Sequence, residues 1–414
     1  MSLIGEKFDG TSIVYTGGLA RGTAGVAARV YNVVDYGAVC DGSTDDTAAV
    51  QAACTAAELT GGVVQFPRGR CKITQGFNFV AGVDGSNKAV WIEGEGHHCC
   101  EVLFYPTTLS DNCFTWGNHG GVSGTAYYFG GGTRDICIRN PLGTCTGAGV
   151  FLDLTIHAEM RDSYVKHFSA GTGLKVRSNG SNNTQHLYLC NVYLQQNSIG
   201  WDCESATATV AVNLKINQNT SKGMVMSNTG VTWLGGVLQG SSSGSHTTWD
   251  TCANVTIIGV HVEVLAATVV MDLSGCSHFV ADNIAWSNAA TPQSLIKATL
   301  SRNIYLDHID VHSPGVKLEL TGSSTAKCSS NGGASAHSIG AGCFVDWVAD
   351  ADNPSGFRMS TVPSGVHALA LGAPLQLPSY TTTQMNALAS PQAGWVIYNS
   401  TTGTQKTYNG SSWV

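Results

Sequence analysis

Residues 31–72 read YNVVDYGAVCDGSTDDTAAVQAACTAAELTGGVVQFPRGRCK. The stretch predicts a strand, a polar turn at Asp41-Gly42, a helix over 47–59 and a second strand over Val63 to Phe66 that Pro67 ends. Thr44, Asp45 or Asp46 can satisfy the first helical amides, where a negative charge meets the positive end of the helix. Gly61-Gly62 supplies the left-handed stop. These aspartates therefore read as helix caps rather than catalysts, and the helix reads as the plug at one end of a stacked structure.

The stack itself shows as a repeat. A residue of corner type precedes an alternating strand at Asn191, Asn213, Gly236, Gly259, Asn283 and His308, which by subtraction are 22, 23, 23, 24 and 25 residues apart. A drifting period of this size, with Val, Ile and Thr alternating at period two, predicts one solenoid coil per repeat. A second strand follows a glycine in GVFLD (149), GLKVR (173), GWDCE (200) and GMVMS (223). Alternation places Val150, Leu152, Leu174, Val176, Trp201, Cys203, Met224 and Met226 inside, and Phe151, Asp153, Lys175, Arg177, Asp202, Glu204, Val225 and Ser227 outside. Trp201 and Trp286 read as core, and the recurrent Asn as a turn ladder of stacked amides. The expected fold is all-β: a single-stranded right-handed parallel β-helix with an N-terminal capping helix and a small C-terminal β segment.

The opening VVDYGAVCDG and the helix after it resemble the start of the pectate-lyase-like parallel β-helix superfamily. The Ala-Arg-rich stretch before it, LARGTAGVAARV, is similar to the beginning of bacteriophage tailspikes. The run SYTTTQMNALASPQAGWVIYNSTTGTQKTYNGSSWV resembles a tail shared by phage fibre and spike proteins. The resemblance implies residues 1–30 as an arm for virion attachment, 31–324 as the β-helix, 325–377 as a transition and 378–414 as a hairpin-like tail. It also implies a homotrimer, a bacterial surface polysaccharide as partner, and a place on the virion tail or outside the cell. Two departures stand out. Val39-Cys40 replaces the usual small apolar residue, and the polygalacturonase motifs are missing, which argues against pectin itself as substrate.

Composition narrows the classes. A net charge of −7 without a Lys/Arg cluster argues against a nucleic-acid partner, and no apolar run reaches membrane-spanning length. MSLIGEKFDG lacks the layout of a signal peptide. Fourteen cysteines show no CxxC pair, and His97-His98-Cys99-Cys100 reads as a family turn, since adjacent ligands converge poorly on one ion. Neither a metal nor another cofactor is expected; a divalent cation such as calcium enters only if the chain is a lyase. Cys252 and Cys276 each lie seven residues before their markers and should stack in neighbouring coils.

Chemistry on a polysaccharide needs carboxylates on an outward face. Asp202 and Glu204 stand two apart on one strand, about 6.5–7 Å between backbones, within reach of both glycosidase separations. Lys175 and Arg177 sit one coil away, so the same residues also spell a plain charge ladder, Asp153 to Arg177 to Glu204. Asp272, and Asp250 if register holds, continue that side. A rival face carries His261 and Glu263, with Asp310 and His312 two coils on. The expected catalytic set is Asp202, Glu204, Asp272 and Glu263, with Lys175, Arg177, Tyr188, Tyr193, His261 and Asp310 binding substrate. The expected activity is glycoside hydrolysis by a tailspike-type depolymerase. The alternatives are a polysaccharide lyase with Lys175 or Arg177 as base, a glycan-binding spike without catalysis, and a structural solenoid.

Overall fold

The computed structural model describes residues 7–8, 13–14, 29–80, 88–117, 127–178, 183–240, 245–264, 269–287, 294–311, 316–322, 324–329, 338–339, 344–348, 379–388 and 391–414. It divides into a unit spanning Met1–Arg358 and a second spanning Met359–Val414. The expected N-terminal arm lies outside the described residues apart from Lys7–Phe8 and Ile13–Val14, which pair antiparallel.

The first unit is a parallel β-helix. Its described strands form an 11-stranded sheet, a 19-stranded sheet bent at a corner, and a 4-stranded sheet, each pairing a strand with its counterpart in the next coil. Alternation holds along the coils: Val150, Leu152, Leu174, Val176, Trp201, Met224 and Trp286 are buried. Phe151, expected outside, is buried too, beneath Lys175, whose ammonium lies 5.3 Å from the ring centre. Parallel pairing also runs past Ser324, since Thr325–Ser329 lies between Arg302–Val311 and Phe344–Val348.

Helix α1 spans Thr47–Thr60 and packs Val50, Ala53, Cys54 and Ala57 against the first coil. The aspartates before it divide the work. Asp45 accepts from the Thr47 amide, while the buried Asp46 carboxylate turns back to the amides of Val39 and Cys40. Asp41 accepts from the Ser43 and Thr44 amides, which hold its carboxyl well below the usual range. The turn expected at Asp41-Gly42 falls within a strand, Asp41–Asp45, that pairs irregularly with Gly69–Ile73. Cys40, the departure noted in the opening, is joined to Cys71 by a disulfide that ties the loop before α1 to that strand.

The corner of the bent sheet is a ladder of left-handed residues. Asp135, Asp162, Asn191, Asn213, Gly235, Gly259, Asn283 and His308 all have positive φ, from 42° to 68°. The Asn213 amide donates to Asn191 and the Asn191 amide to Asp162, at 2.8 and 2.9 Å. Strand register makes Gly235, not Gly236, the corner residue, because Leu214 pairs with Gly236. Ala253 pairs with Ser277, which stacks Cys252 on Cys276 as free thiols in contact.

Candidate functional site

Two outward faces bear chemistry. On the 11-stranded sheet, register aligns Lys175 with Asp202, Val225, Thr248, Asp272, Lys297 and Glu319, and Asp153 with Arg177. Glu204, Ser227, Asp250 and Ser274 continue the second column. Arg177 grips the pair expected as catalysts: its two terminal nitrogens reach both oxygens of Asp202 at 3.0 and 2.5 Å, and its Nε lies 3.2 Å from Glu204. A carboxylate in a bidentate guanidinium fork is held in a fixed orientation, which is charge-ladder geometry. Glu204 is half exposed. Further along, the Ser245 hydroxyl donates to Asp272 at 2.7 Å, and burial depresses the ammonium of Lys222 nearby.

On the bent sheet, Tyr164, Tyr193, Lys215, Val237, His261, Ala285 and Asp310 form one column. Glu263 stands in the next, accepting from the Gln239 amide at 3.0 Å. The backbone of Asp310 is thus two coils from His261; its side chain, like His312, lies outside the described residues. Tyr188 is exposed between Glu159 and Val210.

Near the first coils this face meets the corner ladder, and there the structure assembles groups that were not singled out from the sequence. Arg134 pairs with Arg161, so Asp135 and Asp162 follow on stacked strands. The turn at 96–99 is pinned to them: the Gly96 amide donates to the Asp135 carbonyl at 3.0 Å. His97 then faces both carboxylates and, through its ring, the Asp162 backbone. Burial and the neighbouring Asp162 charge raise the Asp135 carboxyl above the usual range, whereas burial and His98 lower His97. The His97 and Tyr193 rings stack at 6.3 Å, and Tyr193 and Tyr164 lie 5.2 Å apart. Lys215 lies 4.3 Å over Tyr193 and donates to its hydroxyl; Lys166 lies 4.8 Å over Tyr164 and 3.2 Å from Glu101. Titratable groups pushed from their ordinary values beside half-buried rings make this corner the candidate functional site.

The signal was present in the sequence. Counting the ladder backwards from Asn191 by 29 and then 27 residues lands on Asp162 and Asp135. As for metals, among the described residues Asp282, Asp307 and His308 bring three ligand atoms within 4.8 Å of one another on an exposed surface; a buried group of the same kind, Cys40, Asp46 and Cys71, has its sulfurs joined.

Residues 30–92 match the family described as rhamnogalacturonase A/epimerase, pectate lyase-like. The chain is a parallel β-helix whose opening coils match that family. Among solved structures, this β-helix is similar to tailspike protein 2 of Escherichia coli O157:H7 bacteriophage CAB120, with a TM-score of 0.56 and 14% identity, covering 73% of this chain and 42% of that one. It is also similar to the gp42 tailspike of Acinetobacter phage vb_AbaP_AS12, with a TM-score of 0.55 and 11% identity, covering 94% of this chain and 77% of that one. The chain spans less than half the length of the first tailspike. At these identities the likeness is one of fold. A search of the curated proteins finds no match. No helix among the described residues is long and apolar enough to cross a membrane.

Proposed function

We propose that this β-helix belongs to a phage tailspike and binds and hydrolyses a bacterial surface polysaccharide at the corner formed by Asp135, Asp162 and His97. The observation that carries the reading is the stacked carboxylate pair with unlike surroundings. Asp135 is driven toward its protonated form by burial and by the charge beside it. Asp162 accepts instead from the Asn191 amide at 2.9 Å. Two stacked carboxyls in unlike surroundings are suited to separate acid and nucleophile roles.

In this reading Asp162 attacks the anomeric carbon and the bond to the leaving sugar breaks. The Asp135 proton passes to the leaving oxygen, and a glycosyl ester on Asp162 results. Water then attacks the ester with Asp135, now ionised, taking its proton, and the sugar leaves with a new hydroxyl. Stacked coils are about 4.8 Å apart, close to the carboxyl separation of about 5–5.5 Å used by retaining enzymes. Tyr164 and Tyr193 give sugar rings an apolar face to lie on, and Lys215 stands ready for an acidic substituent. His97, kept neutral by burial, orients Asp162.

Asp202 and Glu204, expected from the sequence as the acid and base, offer a second pair on the other sheet. As catalysts they require the Arg177 fork to open, which the corner pair does not. A lyase is the second reading, favoured by Lys215 beside the Tyr193 hydroxyl, where the ammonium could meet the carboxylate of a uronate.

Incubation with a panel of capsular and lipopolysaccharide glycans tests the reading. New reducing ends with retained anomeric configuration support it, an ultraviolet-absorbing double bond replaces it with the lyase, and retention of glycan without cleavage reduces the chain to a binder.

A further inference from the structure

The coils change size partway along the β-helix. Corner to corner, Asp162 to Asn191 takes 29 residues, whereas Asn191 to Asn213 takes 22. A fourth side, the 4-stranded sheet of Tyr128–Phe129, Thr155–Ile156, Thr184–Gln185 and Ala206–Thr207, runs through the longer coils and into the first 22-residue one. Two of these coils turn that side with paired left-handed residues, Leu154 with His157 and Ser205 with Ala208. In the coil after Ala206–Thr207 the side closes at Asn228 alone, with Gly230 donating to the Ala206 carbonyl. The fourth side of the helix stops there, and a step remains.

The step is a cavity of about 560 Å³, within the roughly 300–1,000 Å³ of ligand sites. Asn183, His186, Thr207, Asn228, Thr232 and Asn254 supply its polar lining, with Val210 and Val231 beneath. Among the described residues, none that lines it is Asp, Glu, Lys or Arg. His186 is held in place by stacking on His157, with centroids 4.8 Å apart and planes at 12°. Amides, hydroxyls and an imidazole edge over a small apolar floor match the two faces of a sugar ring, its hydroxyl rim and its C–H surface. An anionic sugar would lose hydration there and find no cation, whereas Lys166 and Lys215 offer one on the other side of the corner.

We infer that this ledge is a binding subsite for an uncharged hexose or N-acetylhexosamine unit of the polysaccharide, separate from the corner where we place bond cleavage. The substrate class that follows is a heteropolysaccharide with neutral units set apart from the unit at the corner. The inference rests on the polysaccharide reading above but is measured independently of it.

The test is imidazole NMR of His186 in the full chain, titrated with neutral disaccharides of hexose and N-acetylhexosamine and with matched uronate disaccharides. Saturable shifts with the neutral probes, and binding roughly tenfold weaker for the uronates, are expected. Thr232→Trp fills the ledge from an outward strand position that tolerates an aromatic, and is expected to weaken the neutral probes tenfold or more at unchanged melting temperature. Thr207→Ala removes one exposed hydroxyl without adding bulk and should weaken them by roughly two- to fivefold. Unmoved His186 resonances, equal binding of the uronates, or wild-type binding by both variants overturns the ledge. A chain that binds these sugars but cuts no glycan overturns the depolymerase reading and leaves the ledge standing. A chain that cuts a glycan with the same KM in wild type and Thr232→Trp does the reverse.

Discussion

Asp135 and Asp162 are chemically identical side chains made unlike by what touches them, and that difference is where a change should register. Asp135→Asn keeps shape and removes the proton that the leaving oxygen needs; Asp162→Asn removes the nucleophile. Each is expected to lower turnover on a cleaved glycan by about a hundredfold or more with the fold intact. Near wild-type rates in both variants would sink the assignment. Asp202→Asn, within the Arg177 fork, should instead shift stability by about 1 kcal/mol, read by denaturant melts. The pH profile carries its own sign. Because the folded Asp135 value is raised, its protonated form persists above the ordinary aspartate value of about 3.9, and the rate should fall as pH rises through the raised value. Any stability tied to the neutral carboxyl is lost over the same rise. Turnover that climbs across that limb contradicts Asp135 as the acid. Alternation along the strand was enough to read that Asp202 and Glu204 point outward. It could not say that the Arg177 side chain would close on both, since rotamers are decided by neighbours a coil away. Asp135 and Asp162 went unread because the corner was followed only from Asn191 onward, where it carried Asn, Gly or His.

The corner ladder turns a backbone requirement into a sequence signal. Every rung needs positive φ, which Asn and Gly tolerate and branched residues do not. Where two glycines adjoin, at Gly235-Gly236, that signal is ambiguous by one residue, and only strand pairing resolves it. Gly235 has φ of 64° and nothing within 4 Å of the site a Cβ would take. Gly235→Asn should therefore be tolerated and can continue the amide ladder from Asn213, whereas Gly235→Val is expected to cost about 1–2 kcal/mol. Equal melting midpoints for the two variants would remove Gly235 from the corner. Helix α1 was legible from its stop at Gly61 and its run of small apolar residues; the link from its leading loop to the next strand was not, because a bond between Cys40 and Cys71 depends on how the coil folds back. The two are 31 residues apart. Replacing both with Ser should lower stability by about 4 kcal/mol on the loop-closure estimate, seen as a drop in denaturant midpoint. An unchanged midpoint would mean the cap is held by Asp46 and packing alone.

Across the molecule, the fold was legible because a solenoid writes one coil after another, so the period and the alternation repeat the same information many times. The drop in coil length at Asn191 was visible as a number, but the end of the fourth side after Ala206–Thr207 was not, since the next coil, Asn213 to Gly235, keeps the same 22 residues. The second unit poses the opposite problem. Among its described residues Met385, Ile397 and Asn399 are buried, while Trp395, Tyr398 and Val414 expose 44%, 41% and 61% of their surface. Its strands Val396–Asn399 and Thr404–Thr407 pair antiparallel, with Ser379–Tyr380 added in parallel. Two buried apolar side chains offer about 3–6 kcal/mol, whereas ordering some thirty residues costs several times that in chain entropy. Such a segment holds its structure when other surfaces cover its exposed rings, and identical copies meeting about one axis provide those surfaces at no further cost in sequence. We propose that the chain is a trimer and that residues 378–414 help hold it together. Light scattering on the intact chain should give three times the monomer mass, and a chain ending at Leu377 should fall to lower mass while keeping the far-ultraviolet signature of the β-helix. An intact chain that scatters as a monomer at micromolar concentration defeats the trimer; a shortened chain that remains trimeric moves the association onto the β-helix itself.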